Sequence, residues 1–84
     1  MEKHERIDSF SVSAGEEVRL QFWKNPFGTT FLDIRRFIKE GVSDQGKAIA
    51  TRKGVSVPAD SIPRLQEALA KANEAFYKGA KKNG

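Results

Sequence analysis

The amino-acid sequence predicts an α+β domain in which four β-strands precede one long α-helix. Apolar and polar residues alternate through residues 18–23 and 29–38, and a period of two is typical of strands. After Pro58 the apolar residues recur at intervals of three and four, which is the period of an amphipathic helix. With 84 residues and no cysteine, the chain is expected to form one domain with a thin core and no disulfide bond.

The strands are expected to begin at residue 9, because residues 1–8 alternate in charge without an apolar period and predict a flexible arm. Strand patterns cover residues 9–14, 18–23, 29–38, 47–50 and 55–57, the last two being short stretches around a predicted turn at Lys53-Gly54. Another turn is predicted at residues 25–28 (NPFG), since proline presets φ and glycine accepts a positive φ.

The helix is predicted to start after Asp60 or Ser61, either of which can cap it, and to end near Gly79 after about eighteen residues. Pro63 is tolerated because the first helical turn needs no N–H donor there. One apolar stripe contains Ile62, Leu65, Leu69, Ala72 and Phe76. The domain is thus expected over residues 9–78, followed by a basic tail at 79–84.

The two faces of the predicted sheet differ in chemistry. The apolar face carries Val18, Leu20, Phe22, Leu32 and Ile34, and is the expected seat of the helix. The aromatic face carries Arg19, Gln21, Trp23, Arg35 and Phe37, and is expected to be open to solvent. Exposed rings beside cations are typical of surfaces that bind single-stranded nucleic acid, because bases stack on rings while phosphates pair with Lys and Arg.

The charge distribution favours the same interpretation. Residues 18–53 contain eight Lys or Arg against three acids, a net charge of +5, whereas the rest of the chain carries a net charge of −1. Five of the eight aromatic residues lie between positions 22 and 37 of the same segment. An exposed tryptophan is also typical of a protein interface, and RNA binding uses the same physics, so both alternatives stay open. Lysines near the helix C-terminus (Lys71, Lys78, Lys81 and Lys82) suit either the helix dipole or a non-specific DNA contact.

Enzymatic activity, a cofactor and a metal site are not predicted. His4, the only histidine, lies in the predicted arm, where it has no anchored partner. The stretch GVSDQGKA (41–48) nearly matches a phosphate-binding loop, but Ala48 lacks the hydroxyl that binds Mg²⁺. The acids Asp33, Glu40 and Asp44 are expected to pair with arginine or flank a loop. No apolar run approaches the roughly 20 residues of a membrane span, and none follows the charged start as in a secretory signal.

Three segments, FLDIRRF (31–37), GKAIATRKGVSV (46–57) and SIPRLQEALAKANEAF (61–76), resemble the transcriptional coactivator positive cofactor four family. The resemblance implies a curved, four-stranded antiparallel sheet with one helix per chain. It also implies a homodimer, formed by helix pairing through Leu65, Leu69, Ala72 and Phe76, that holds single-stranded DNA on aromatic and basic residues. By position, Trp23 resembles the family's ring at the strand end, Arg35 the D-I-R arginine, and Arg52 and Lys53 the basic turn.

The combined prediction is a homodimeric, largely sequence-independent single-stranded DNA-binding protein of transcription, replication, recombination or repair. The alternatives are a protein-interaction module that contacts polymerase or activators, and an RNA-binding protein. The predicted DNA contacts are Arg19, Gln21, Trp23, Lys24, Phe27, Arg35, Phe37, Lys47, Arg52 and Lys53. Transcription or replication proteins are expected partners. Eukaryotic family members carry a regulatory extension where this sequence has eight residues, which favours an intracellular protein of a bacterium or of a virus-infected host cytoplasm, with the nucleus expected in a eukaryote.

Overall fold

A computed structural model describes residues 5–42 and 46–83, and its architecture confirms the predicted ββββα fold class. Four strands form one curved antiparallel sheet in sequential order: β1 (Glu5–Ser11), β2 (Glu16–Lys24), β3 (Thr30–Ile38) and β4 (Ile49–Pro58). A 3-10 turn, Ala59–Ser61, then leads into the helix α1, Ile62–Asn83. Among the described residues, no helix is long and apolar enough to cross a membrane.

The register of β2 against β3 gives the sheet its two faces. On the apolar face Leu20 pairs with Ile34 and Phe22 with Leu32. One residue away, on the aromatic face, Arg19 pairs with Arg35, Gln21 with Asp33 and Trp23 with Phe31. Strand β4 adds Val55 and Val57 to the apolar face, opposite Ile34 and Leu32. The alternation read from the sequence therefore assigns these side chains to the correct faces.

Strand β1 begins earlier than predicted. It starts at Glu5, so residues 5–8 belong to the sheet and not to an arm. The pairing with β2 is shifted by one residue between Arg6 and Asp8, which leaves Ile7 as a bulge. This extra residue breaks the alternation, and for that reason the segment showed no strand period. Residues 1–4, including His4, lie outside the described residues, as does Asp44.

Strand β4 is continuous, so the predicted turn at Lys53-Gly54 is wrong. Gly54 lies within the strand opposite Arg35. A Cβ atom at Gly54 would lie 2.7 Å from the backbone oxygen of Ile34 and 2.9 Å from the Cα of Arg35. Glycine is required here because the two backbones approach closely. The register against β3 shifts between Arg35 and Phe37, where a bulge displaces residues 51–53 of β4.

The helix is longer than predicted and does not cover the sheet. It runs for 22 residues and passes through Gly79, which therefore does not end it. Pro63 does lie in its first turn. Within the chain, α1 packs mainly against the 3-10 turn, which in turn contacts β3. The radius of gyration is 15.7 Å, compared with about 12 Å expected for a compact domain of this length.

The core of the single chain is correspondingly small. Among the described residues, only Leu32, Asp33 and Phe37 are buried. On the apolar face Phe10 and Val55 remain more than half exposed. On the helix Leu69, Phe76 and Tyr77 are also more than half exposed. The expectation that α1 seats on the apolar face of its own chain is therefore wrong, because an amphipathic stripe does not specify which surface it packs on.

Candidate nucleic-acid interface

A stacked pair of rings lies on the aromatic face, at the end of the sheet near the β2–β3 turn. The Trp23 and Phe31 rings are 4.7 Å apart between centroids and inclined by 16°. The Trp23 Nε1–H donates a hydrogen bond of 3.4 Å to the Ser56 hydroxyl on β4. Trp23 nevertheless keeps part of its surface in solvent. The partly exposed indole on β2 is therefore oriented by the Phe31 ring on β3 and by the hydrogen bond that it donates to Ser56 on β4.

A polar network continues from this pair across the aromatic face. The Ser56 hydroxyl donates to Asp33 Oδ1 at 2.7 Å. Arg35 donates from Nε and Nη2 to the two Asp33 oxygens, each at 3.0 Å, and from Nη1 to the Thr51 carbonyl at 3.0 Å. Side chains of β2, β3 and β4 are therefore joined in one chain of hydrogen bonds, which holds the surface in a single arrangement.

The network changes the role predicted for Arg35. Its hydrogen bonds to the Asp33 carboxylate raise the pKa of Arg35 above its ordinary value. Since the pKa of Arg35 is raised in the folded state, the contribution of the Arg35 charge to stability is present below the unfolded pKa of Arg35 and is lost as the pH rises through the folded pKa. At neutral pH, Arg35 is a charged partner of Asp33 with three of its N–H donors already used.

Phe37, predicted as an open stacking ring, is only 8% exposed. The Arg19 guanidinium carbon lies 4.6 Å from the centre of the Phe37 ring. Arg19 Nε in turn donates to Glu17 Oε2 at 2.5 Å. Strand alternation placed Phe37 on the correct face but did not show that a cation–π contact covers it. Arg19, also predicted to contact phosphate, is thus engaged with a ring and a carboxylate of its own chain.

Three exposed cations that have no ion-pair partner within the described part of the chain lie on or beside strand β4. Arg52 and Lys53 are exposed on β4, an edge strand, and Lys47 is exposed just before that strand. The β4 bulge that carries Arg52 and Lys53 is held in place, because Thr51 Oγ1 donates to the Arg36 carbonyl at 2.9 Å and accepts from the Lys53 N–H at 3.1 Å.

Arg6 is a further exposed cation that the sequence did not indicate. It pairs with Gln21 across β1 and β2, which places it on the aromatic face at the other edge of the sheet. Gln21 itself is half-buried and lies opposite Asp33 on its other side. Allowing a one-residue bulge at Ile7 restores the alternation and would have identified Arg6 from the sequence.

Lys24 lies away from the aromatic cluster. It follows Trp23 directly and pairs with Thr30, so its side chain has the parity of the apolar face. There it lines a shallow depression of about 220 Å³ together with Glu5, Phe22, Trp23 and Thr30. The structure therefore separates Lys24 from the predicted phosphate contacts on β4. Phe27, at the tip of the same hairpin, is 92% exposed.

No group of three or more His, Cys, Asp or Glu residues within 5–42 and 46–83 is arranged to hold a metal ion.

No protein-family model matches the chain, and comparisons with curated proteins and with solved structures found no match. The resemblance to the coactivator family therefore rests on the three quoted segments alone.

Proposed function

We propose that the chain binds single-stranded DNA on its aromatic face, largely independently of base sequence, and acts as a homodimer in transcription, replication, recombination or repair. The observation that carries the proposal is the Trp23–Phe31 pair, a rigid and partly exposed stack with unpaired cations at both edges of the sheet. Stacking on rings is tolerant of sequence because every base has a π face.

Preorganisation of Trp23 supports this function. An indole fixed by Phe31 and Ser56 loses little conformational freedom when a base stacks on it, so little of the binding free energy is spent on ordering the site. Arg35 and Asp33 act in this proposal as positioning residues, since they hold Ser56 and through it the indole.

Phosphate contacts are assigned to the unpaired cations Arg6, Lys47, Arg52 and Lys53. Arg6 lies on β1 and the Arg52-Lys53 pair on β4, and these two strands are three inter-strand spacings apart, roughly 14 Å at the usual spacing. A strand that lies over the rings therefore has positive charge on both sides. Arg19 is neutralised by Glu17, and Arg35 by Asp33. These two arginines therefore contribute to the shape of the binding surface and little to its net charge.

Dimerisation is proposed because one chain leaves too much apolar surface uncovered. The chain exposes 6592 Å², about a third more than the roughly 5000 Å² expected for a compact monomer of 9.4 kDa. The uncovered surface comprises the apolar face and the helix stripe, and both are exposed in the same molecule. Pairing two copies buries both kinds of surface at once, which a small chain without disulfides requires.

The proposal can be tested by titrating the protein with oligothymidylate while following the fluorescence of its one tryptophan. We expect saturable quenching, with affinity that falls as salt rises at a log–log slope of about −0.7 per phosphate neutralised. Trp23→Ala should lower affinity by about 1–3 kcal/mol, or roughly 5- to 150-fold, when a labelled oligonucleotide reports binding. Tyr77→Ala is the matched control, because it removes an exposed ring from the helix and not from the sheet.

Absence of any binding at low salt, up to tens of micromolar protein, would contradict the proposal and leave the protein-interaction alternative. Competition between DNA and RNA oligonucleotides of the same sequence distinguishes the RNA-binding alternative. Competition with duplex DNA tests the preference for single strands, because stacking on Trp23 requires an unpaired base.

A further inference from the structure

Phe27 is the most exposed large apolar side chain of the described residues, at 92%. It lies at the tip of the β2–β3 hairpin, where the alternation of neither strand gives it a place on a sheet face. At this exposure the ring gains little from burial against residues 5–42 and 46–83, so folding of this part of the chain does not explain its identity. A large apolar ring that is open to solvent is available as an anchor for a ligand.

The turn that carries Phe27 is rigid. The Asn25 side-chain oxygen accepts hydrogen bonds from the N–H groups of Phe27 and Thr29, at 3.0 and 2.9 Å. The backbone adds a bond from Gly28 N–H to the Asn25 carbonyl at 3.0 Å and one from Asn25 N–H to the Thr29 carbonyl at 2.9 Å. Gly28 has φ of +90°, which closes the turn in a conformation that glycine adopts readily. The ring is therefore presented on a fixed backbone.

The surroundings of Phe27 favour an anionic ligand. Residues 20–31, which include the turn, contain the cation Lys24 and no acid. Lys24 is exposed at the base of the turn and forms no ion pair with the described residues. The tip lies roughly 10 Å beyond the Trp23–Phe31 rung of the ladder, at about 3.3 Å per residue. It is therefore in line with the stacked pair, past the end of the sheet.

We propose that Phe27 is a second base-stacking anchor, which takes one further nucleobase of the strand bound on the aromatic face. The inference rests on the proposed function, and it extends the binding site beyond the sheet to the hairpin tip. Its consequence is a length dependence: oligonucleotides long enough to reach the tip bind more tightly than shorter ones by the contribution of this ring.

The test measures anisotropy of end-labelled oligothymidylates of increasing length with wild type, Phe27→Ala, Phe27→Leu and Phe27→Tyr. On the longer oligonucleotides we expect Phe27→Ala to weaken binding by about 5-fold or more, whereas the shortest bound oligonucleotide is unaffected. Phe27→Tyr should retain wild-type affinity, and Phe27→Leu should lose it, because leucine is apolar but presents no π face. Equal melting temperatures of all four proteins show that the effect is not one of folding.

A second measurement detects contact of the oligonucleotide with the hairpin tip by fluorescence. In a Trp23→Phe background, Phe27→Trp places the only tryptophan at the hairpin tip, and we expect its fluorescence to be quenched by the longer oligonucleotides. If wild type binds but Phe27→Ala binds equally well at every length, the inference is overturned and the proposed function stands. If Phe27→Ala weakens binding but Phe27→Leu matches wild type, the contact is apolar and not base stacking, and the inference is overturned. If wild type binds no oligonucleotide, both proposals are overturned.

Discussion

The two faces of the sheet achieve order by different means. On the aromatic face, side chains bond to one another: Asp33 holds Arg35 and Ser56, and Arg19 covers Phe37. On the apolar face, Leu32 is buried, yet Phe10 and Val55 remain more than half exposed. Side chains of one chain therefore order the aromatic face, whereas the apolar face of one chain keeps large apolar side chains in solvent. This difference accords with the proposal of a ligand on the aromatic face and a second copy of the chain on the apolar face.

The largest expected loss of stability comes from a substitution in the apolar stripe of the helix, the surface proposed to pair with the apolar face. Leu69→Asp places a charge in the middle of the helix stripe, where Leu69 is 58% exposed in one chain. If the stripe is an interface, the substitution should cost about 3 kcal/mol or more and convert the dimer to a monomer or unfold it. Light scattering and thermal melting at several protein concentrations measure both effects.

Ala70→Asp is the matched control for Leu69→Asp, since Ala70 is exposed and lies outside the apolar stripe, about 100° around the helix from Leu69. It introduces the same charge into the same helix and should leave the oligomeric state unchanged. A wild type that is a fully folded monomer of 9.4 kDa at all concentrations would contradict the assignment of the apolar face to a partner.

On the aromatic face, the largest effect is expected from Asp33→Ala. The Asp33 side chain is 8% exposed and the Arg35 side chain 25%, so the substitution leaves a partly buried guanidinium without its carboxylate. We expect a loss of about 2–3 kcal/mol in the free energy of unfolding, measured by urea denaturation. Asp33→Asn should cost less, because an amide oxygen still accepts one bond. A loss below about 0.5 kcal/mol for Asp33→Ala would show that the network does not order this face.

Gly54→Ala tests whether close backbone approach, and not a turn, explains this glycine. The added methyl group would meet backbone atoms of Ile34 and Arg35 within 3 Å, so one strand must shift. We expect a loss of about 1–2 kcal/mol in stability. Gly41→Ala is the control, because no atom lies within 4 Å of the position its Cβ would take. Equal stability of the two variants would contradict the interpretation.

The smallest expected change in stability comes from the edge cations. Arg52→Gln with Lys53→Gln should leave the melting temperature within about 2 °C, since both residues are exposed and unpaired. The same double variant should reduce the salt slope of oligonucleotide binding by about 1.4, and Arg6→Gln should reduce it by about 0.7. Lys71→Gln on the helix is the control, and its slope should match that of wild type. Unchanged slopes in all variants would exclude these cations from the phosphate contacts.

The sequence was most informative where a single period ran without interruption. Alternation in β2 and β3 placed Leu32 on one face and Trp23 on the other, and the change of period after Pro58 located the helix. Prediction from the sequence failed where one residue type is common in two different structural settings. Glycine is needed both in turns and at close backbone approaches, so Gly54 was misassigned to a turn. A one-residue bulge at Ile7 hid the first half of β1 in the same way.

The candidate site was predicted in outline but not in its internal contacts. Residue types indicated that rings and cations share a face, and the pairs Trp23–Phe31 and Arg35–Asp33 do so. Periodicity cannot show which arginines are neutralised by neighbours, because that depends on side-chain conformation across strands. Arg19 and Arg35 were therefore expected to be free for phosphate, and Arg6 was missed.

Both outer strands of the sheet carry a bulge, and this bears on aggregation. The sheet has two open edges, β1 and β4, and a flat edge invites strand-by-strand growth into polymers. In β1 the bulge at Ile7 lies between the charged residues Arg6 and Asp8, and in β4 the bulge presents Arg52 and Lys53. Irregular, charged edges oppose the addition of another strand. The two edges of the sheet are thereby protected against open-ended growth, which leaves the faces as the surfaces available for the proposed pairing of two copies.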